Sequence, residues 1–384
     1  MRPPARLAPL VLLTVVSLAA CGGDDDDGGG SGDAPTDGGF AAMLAAVPDG
    51  ALGGDGAMLQ YVDMQLVWER LGVGDGTAEE RLEALPTTAQ VDRYSLVPRL
   101  FGDMVMLDDE AREEVGFDIT DIEREIAVDL PPSLLRIADV AVAPDVIDAA
   151  TAADPVWSDR RQVVDAEDAT YFDWTADGDE LAQDLERRTP MRPYGVGGQL
   201  AVSEHGDGSR VVRTNESSLL EDALATATGD DGSAATQGPL AGAADAVDGD
   251  VVQAIALGAM SGMPVILSPE DVDRLESGEG FIGPYRAIVL ADVIAAGDTA
   301  GDDPITEVLL LHVTADAAEA NVAAVEALLE DGVTTMSGTP VTEVLGDRGV
   351  EVEQDGTVVR VTVEPGHFSA IYSAIVRRDL FVTR

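Results

Sequence analysis

The sequence predicts an α+β protein: two similar lobes of mostly antiparallel sheet with packed helices, following a signal peptide and a flexible acidic linker. Three observations carry this expectation. Period-two apolar stretches are joined by tight turns at His205-Gly206-Asp207-Gly208 and Asp355-Gly356, the pattern of hairpins and so of antiparallel pairing. Residues 315–330 put Ala318, Val322, Val325 and Leu329 on one helical face, with Gly332 as a stop. Strands leading to a helix, then a hairpin, then a helix occur twice, around 126–228 and around 286–378. That order predicts an internal duplication.

Taken along the chain, Ala57 to Val62 reads as a strand entering a helix through Leu66, Val67 and Arg70. Thr77 and Glu80 form a capping box ahead of a helix around Leu82 and Leu85. A strand at 134–140 precedes a helix at 144–151 with Pro144 in its first turn. Short strands near 161–164 and 169–174 lead to the hairpin 199–214. Asn215 then suits a cap for a helix that turns Leu219, Leu220, Ala223, Leu224 and Ala227 inward. Residues 230–248 read as the connection between lobes, and 260–284 as an insertion. Strands follow at 251–258, 286–294 and 305–313. In the 350–363 hairpin Val350 and Val352 face Val359 and Val361, with Glu351 opposite Arg360. The last helix runs through Phe368, Ile371 and Ile375 and ends at Arg377 and Arg378, where cations suit the helix dipole. The domain boundaries expected are 1–20 for the signal peptide, 21–39 for the linker, 40–235 for the first lobe and 236–384 for the second.

Composition excludes several functions. The 384 residues hold 72 acids against 23 bases, a formal charge of −49, and all 23 bases are arginine. Such a polyanion will not bind a nucleic acid backbone through charge. Without lysine there is no P-loop lysine, Schiff-base lysine or kinase strand lysine. One cysteine permits no internal disulfide and no cysteine-based metal cluster. With 45% hydrophobic residues the chain still has material for a sizeable core.

The N-terminus carries an address. Arg2 and Arg6 precede the uncharged, largely apolar run 7–20, which has the length of a signal-peptide core and is short of the roughly 20 residues that span a bilayer. The run ends in Leu18-Ala19-Ala20-Cys21, which resembles the bacterial lipobox. That resemblance implies cleavage before Cys21 by signal peptidase II after the thiol has received a diacylglyceryl group. The competing reading is an ordinary signal peptide with an incidental cysteine, although Cys21 is the sole cysteine in the chain. Residues 22–39 contain no bulky apolar side chain and read as a tether. Asp24 to Asp27 lack the spaced ligands of a calcium loop and read as a solvated spacer. The whole resembles actinobacterial secreted lipoproteins of the high-GC Gram-positive bacteria. The resemblance implies residence at the extracytoplasmic face of the cell membrane, with the membrane as a partner through the lipid on Cys21.

A search for chemistry yields little. His205, His312 and His367 have no zinc-helix spacing, and HExxH is absent. His205 reads as solvated in a turn, His312 sits on the strand face opposite Leu309 and Leu311, and His367 lies near a helix start. No GxSxG elbow appears. Gly72, Gly74 and Gly76 are misplaced for GxGxxG and follow a helix, so they read as a turn feeding the Thr77 cap. The apolar clusters Phe101 to Leu107 and Met260 to Leu267, and the strand Tyr171 to Trp174, read as core, with adaptable partner surfaces as the competing reading. No catalytic residue, metal ligand or cofactor is expected. The leading functional expectation is a non-enzymatic, lipid-anchored binding or envelope-associated protein whose partner is an unknown protein or small molecule. A solute-binding lipoprotein of a transport system and an extracytoplasmic hydrolase are the alternatives.

Overall fold

A twelve-stranded sheet organises the chain, and every neighbouring pair in it is antiparallel. The computed structural model describes residues 39–52, 57–85, 97–101, 108–154, 157–158, 161–164, 169–173, 189–191, 198–228, 232–258, 281–295, 297–299 and 302–383. The strands of the first half are β1 (Met58–Asp63), β2 (Ile122–Leu130), β3 (Ser133–Val140), β4 (Arg161–Val164), β5 (Ala169–Asp173), β6 (Gln199–His205) and β7 (Gly208–Thr214). Those of the second are β8 (Asp250–Gly258), β9 (Phe281–Ile282), β10 (Ala287–Ile294), β11 (Ile305–Leu311), β12 (Gly349–Asp355), β13 (Val358–Glu364) and β14 (Val382–Thr383). Sheet order is β12-β13-β11-β10-β8-β1-β2-β3-β7-β6-β5-β4, and β9 pairs separately with β14 in parallel.

This order reveals the duplication. Outward from the centre, the first half runs β1-β2-β3-β7-β6 and the second runs β8-β10-β11-β13-β12. Each half contributes a central strand, a two-strand unit, a helix and a hairpin whose second strand docks inward. The central strands β1 and β8 pair antiparallel, with Tyr61 opposite Ala254, so the halves share one sheet and are related by an approximate two-fold through it. The helices after the two-strand units also correspond: α5 (Pro144–Ala153) in the first half and α8 (Ala315–Asp331) in the second. The β4–β5 pair extends only the first half.

The remaining helices are α1 (Phe40–Ala45), α2 (Met64–Arg70), α3 (Ala78–Ala84), α4 (Asp108–Val115), α6 (Ser217–Thr228), α7 (Ala243–Ala246), α9 (Val341–Leu345) and α10 (Phe368–Val376). One sheet face carries a core common to both halves. Leu59, Tyr61, Ile126, Ile137, Ala254, Val289 and Leu309 meet α1, α6 and the stretch containing Ala234, Leu240 and Ala243 there. The other face holds one core per half. Trp68, Phe101, Phe117, Ile147, Trp157 and Phe172 fill the first; Ile255, Leu290, Leu310, Val325, Val361 and Ile375 fill the second. Residues 35–384 are one compact unit.

Three sequence expectations are corrected. The 350–363 hairpin turns at Gly356 and Thr357, so Val352 lies opposite Val361, and Arg360 opposite Glu353 rather than Glu351. Gly356 takes φ +53°, which a tight hairpin turn requires at its first central position. The slip is two residues, so each side chain keeps its expected face. Asn215 does not cap α6. Its Oδ1 accepts from Leu134 N–H at 2.8 Å and its Nδ2 donates to Pro132 carbonyl oxygen at 3.0 Å, tying α6 to the β2–β3 turn. The segment between the halves is no bare connection, because Ala234, Leu240 and Ala243 are buried in the common core. The duplication is also incomplete, because the closing helices of the two halves lie on opposite faces: α6 buries Leu220 and Ala223 in the common core, whereas α10 buries Phe368, Ile371 and Ile375 beside α8. Other elements fall close to expectation, among them the Thr77–Glu80 capping box with both reciprocal bonds present.

Candidate functional site

A cleft lined by described residues lies in the first half, between α2, α3 and the turn before β2. It encloses about 970 Å³. Asp63 starts α2 by accepting from Leu66 N–H at 3.1 Å, which sets Gln65, Trp68 and Glu69 along the cleft wall. The glycine loop 72–76 forms a second wall and α3 a third. Three of its amides are used locally: Gly72 donates to Glu69 O, Val73 to Trp68 O and Gly76 to Val73 O. The loop is a turn that leads into the Thr77 cap, the role its spacing predicts.

The cleft is acidic. Among the described residues that line it, Glu69, Asp75, Glu80, Asp121 and Glu123 stand against one cation, Arg81. Arg81 is used structurally: it donates to Gly74 O at 2.6 Å and Thr120 O at 3.0 Å, with its guanidinium 6.0 Å from the Trp68 ring centroid. The amide and hydroxyl of Thr77 hold the Glu80 carboxyl below its ordinary range. Burial pushes Asp121 up, against the Asp118 amide and Arg112. Such a lining repels anions and suits a cationic or hydroxyl-rich small molecule. Its size falls within the roughly 300–1,000 Å³ common for ligand clefts.

Next to it, buried carboxylates act as loop anchors. Glu125 on β2 accepts from the amides of Arg99 and Leu100 at 2.7 and 2.9 Å, while Arg213 on β7 donates to Leu100 carbonyl oxygen. The stretch 97–101 is thereby stapled across the sheet. Glu114 on α4 gathers Trp157 Nε1, Thr189 Oγ1 and Met191 N–H at 3.1, 2.6 and 3.1 Å. Burial raises the carboxyls of Glu125 and Glu114, and lowers the Arg213 guanidinium to about 10. The two carboxylates accept from backbone amides, an indole and a hydroxyl while Arg213 donates to a backbone carbonyl, so each of them ties loop backbone to the sheet or to α4.

The three histidines are dispersed. His205 is half-exposed but not merely solvated, for its Nε2 lies 3.1 Å from Arg210 Nη2 and 3.6 Å from Asp139 Oδ2. His312 is buried on the same face as Leu310, as its strand position predicts, and His367 precedes α10. Among the described residues no three His, Cys, Asp or Glu side chains converge as a metal site. Phe101 and Phe172 are core residues. Cys21, Asp24 to Asp27, Met104 to Leu107, Trp174 and Met260 to Leu267 lie outside the described residues. Sequence reasoning missed the cleft because its acids come from α2, α3 and the β2 approach; the available signal was the glycine loop set between Trp68 and the capping box.

The fold and cleft thus define a duplicated antiparallel α+β protein with an acidic pocket in one half. No family model matches the chain, and no curated protein does. Among solved structures, crystal form I of TP0453 is similar at a TM-score of 0.35 and 12% identity, over 88% of this chain and 99% of that one.

Proposed function

We propose that this chain is an extracytoplasmic lipoprotein held at the cell membrane by lipid on Cys21, with a folded body that works as a non-enzymatic binding or envelope-associated module. The observation that carries the reading is Leu18-Ala19-Ala20-Cys21 at the end of a 14-residue signal-peptide core, with the chain's sole cysteine in the acceptor position. Among the described residues no helix is long and apolar enough to cross a membrane. A diacylglyceryl group supplies the two chains that stable anchoring requires, where a single chain holds marginally. Cys21→Ser is expected to move the protein from the membrane fraction to the soluble one, and mass spectrometry of the wild-type N-terminus should show the acyl mass. A serine variant that still sediments and resists salt washing would place the anchor elsewhere.

The α2–α3 cleft favours a second reading, capture of a cationic solute. A thermal-shift screen of small organic cations against the Glu69→Gln/Glu123→Gln double variant tests it. A cation that stabilises the wild type by mass action and not the variant supports this reading. Equal shifts in both proteins would point to general charge screening.

A further inference from the structure

We propose that the contact joining His312, Asn321 and Gly283 is a proton-operated latch, closed at neutral pH and opened by acid, that holds the 281–285 stretch and through it the C-terminal strand β14. His312 follows β11 and Asn321 projects from α8; both are buried. Asn321 pairs with both backbone groups of Gly283: its Oδ1 accepts from Gly283 N–H at 2.7 Å and its Nδ2 donates to Gly283 O at 3.2 Å. The same Nδ2 lies 3.0 Å from His312 Nε2. His312 Nδ1 lies 3.2 Å from Thr357 O, which also accepts the His312 backbone amide at 2.8 Å.

These contacts assign every proton. Gly283 fixes the orientation of the Asn321 amide, so Nδ2 is the donor toward His312 Nε2. Nε2 is therefore an acceptor, and Nδ1–H donates to the Thr357 carbonyl. The ring is neutral, in one tautomer. A proton arriving at Nε2 sets two donors against each other. Flipping the amide brings Oδ1 to Nε2–H, but turns NH₂ toward Gly283 N–H and oxygen toward Gly283 O. Either arrangement breaks the hold on Gly283. The fit has no slack, because a Cβ at Gly283 would stand 2.8 Å from Asn321 Oδ1.

The hold matters because of what Gly283 adjoins. Phe281 and Ile282 pair in parallel with Val382 and Thr383, and the Tyr285 hydroxyl donates to Phe381 O at 2.7 Å. Leu380, Phe381 and Val382 are buried. Around the ring, Arg286 before β10 is the charged group, and it opposes a second cation. From α8 comes the neutral Asn321, from the β12–β13 turn the Thr357 carbonyl and from β11 the Leu310 carbonyl, both carbonyls favouring the charged ring; the Gly283 backbone reaches it only through Asn321. Asp316 and Glu319 of α8 and Asp355 of β12 are exposed. Burial, ahead of Arg286, moves the His312 pKa below its ordinary value.

Amide exchange, corrected for intrinsic rates, tests the latch in the mature chain at neutral pH and near pH 5. Protection at 281–285 and 379–383 should fall about tenfold in acid, while β8 and β10 stay unchanged. His312→Gln keeps an acceptor for Asn321 that cannot become charged, and should abolish the acid response; Asn321→Ala should be open at both pH values. In the unmodified chain, the NMR titration midpoint of His312 should match the exchange midpoint, whatever the variants do. Unchanged protection in acid, an acid response that persists in His312→Gln, or midpoints that differ by more than about one unit would overturn the proposal.

Discussion

Asp292→Asn is expected to stabilise the protein at neutral pH. Asp292 sits on β10 in the middle of the sheet, 4% exposed, where its two oxygens accept from Gln253 Nε2 at 2.9 Å and Thr306 Oγ1 at 2.7 Å. Burial outweighs these bonds and pushes its pKa to about 6 from an ordinary 3.8. The sign follows from proton linkage: between those values the native state binds the proton and the unfolded chain releases it, so stability falls as pH rises through this window. A shift of this size corresponds to about 3 kcal/mol of destabilisation at pH 7, since one unit is about 1.4 kcal/mol. Asparagine keeps the shape, accepts from Gln253 through its oxygen and donates to Thr306 through its nitrogen. At an unfolding entropy of about 2.1 cal/mol/K per residue, the gain at pH 7.5 is roughly 4 °C in Tm. It should vanish below about pH 4, where aspartate is already neutral. Melting curves of both proteins from pH 4 to 8 check this. An unchanged or lower midpoint at pH 7.5 would show that the ionised carboxylate has compensation in the sheet.

Salt should have an effect at least as large. Removing residues 1–20 takes away two of the 23 arginines and none of the 72 acids. The structure then commits several of the remaining arginines to half-buried pairs on the sheet: Arg124 with Asp63, Arg136 with Asp129, Arg210 with Asp139 and Arg360 with Glu307. They do little for the outer surface. Along α8 the exposed Asp316, Glu319, Glu326, Glu330 and Asp331 have no cation on their own helix. Glu326 and Glu330 repel at i,i+4, and Glu330 and Asp331 stand at the negative end of the helix dipole. The Debye length falls from roughly 30 Å at 0.01 M to roughly 3 Å at 1 M, so added sodium chloride relieves this repulsion. Over that range the midpoint should rise by roughly 5–10 °C, several kcal/mol for a chain this long, with most of the gain in the first few tenths molar. A flat midpoint would mean that the surface acids are already far enough apart.

Much of the chain's local structure was legible because it is local chemistry. The Thr77–Glu80 box, the Pro144 start of α5, the Gly206 turn and the apolar stripe of α8 involve residues within a few positions of each other, where propensity and periodicity act directly. The repeated order of elements was readable for the same reason, and it carried the duplication without any identity between the halves. The lipobox resemblance, too, rests on contiguous residues.

The tertiary structure decided what depends on distant partners. Pairing of β1 with β8, as of Tyr61 with Ala254, joins positions far apart in the chain and merges two halves into one sheet, because a lone central edge strand would leave its backbone groups unpaired. Asn215 reads as a helix cap, yet the Leu134 amide and Pro132 carbonyl 80 or so residues away compete for the same side chain and win. Nothing in the order of elements sets α6 and α10 on opposite faces; that is settled by which uncovered apolar surface each helix meets as the chain leaves its hairpin. His312 illustrates both halves of the lesson. Strand alternation places it on the face of Leu310, but the proposed state of its ring depends on Asn321, and only folding sets Asn321 between that ring and the Gly283 backbone.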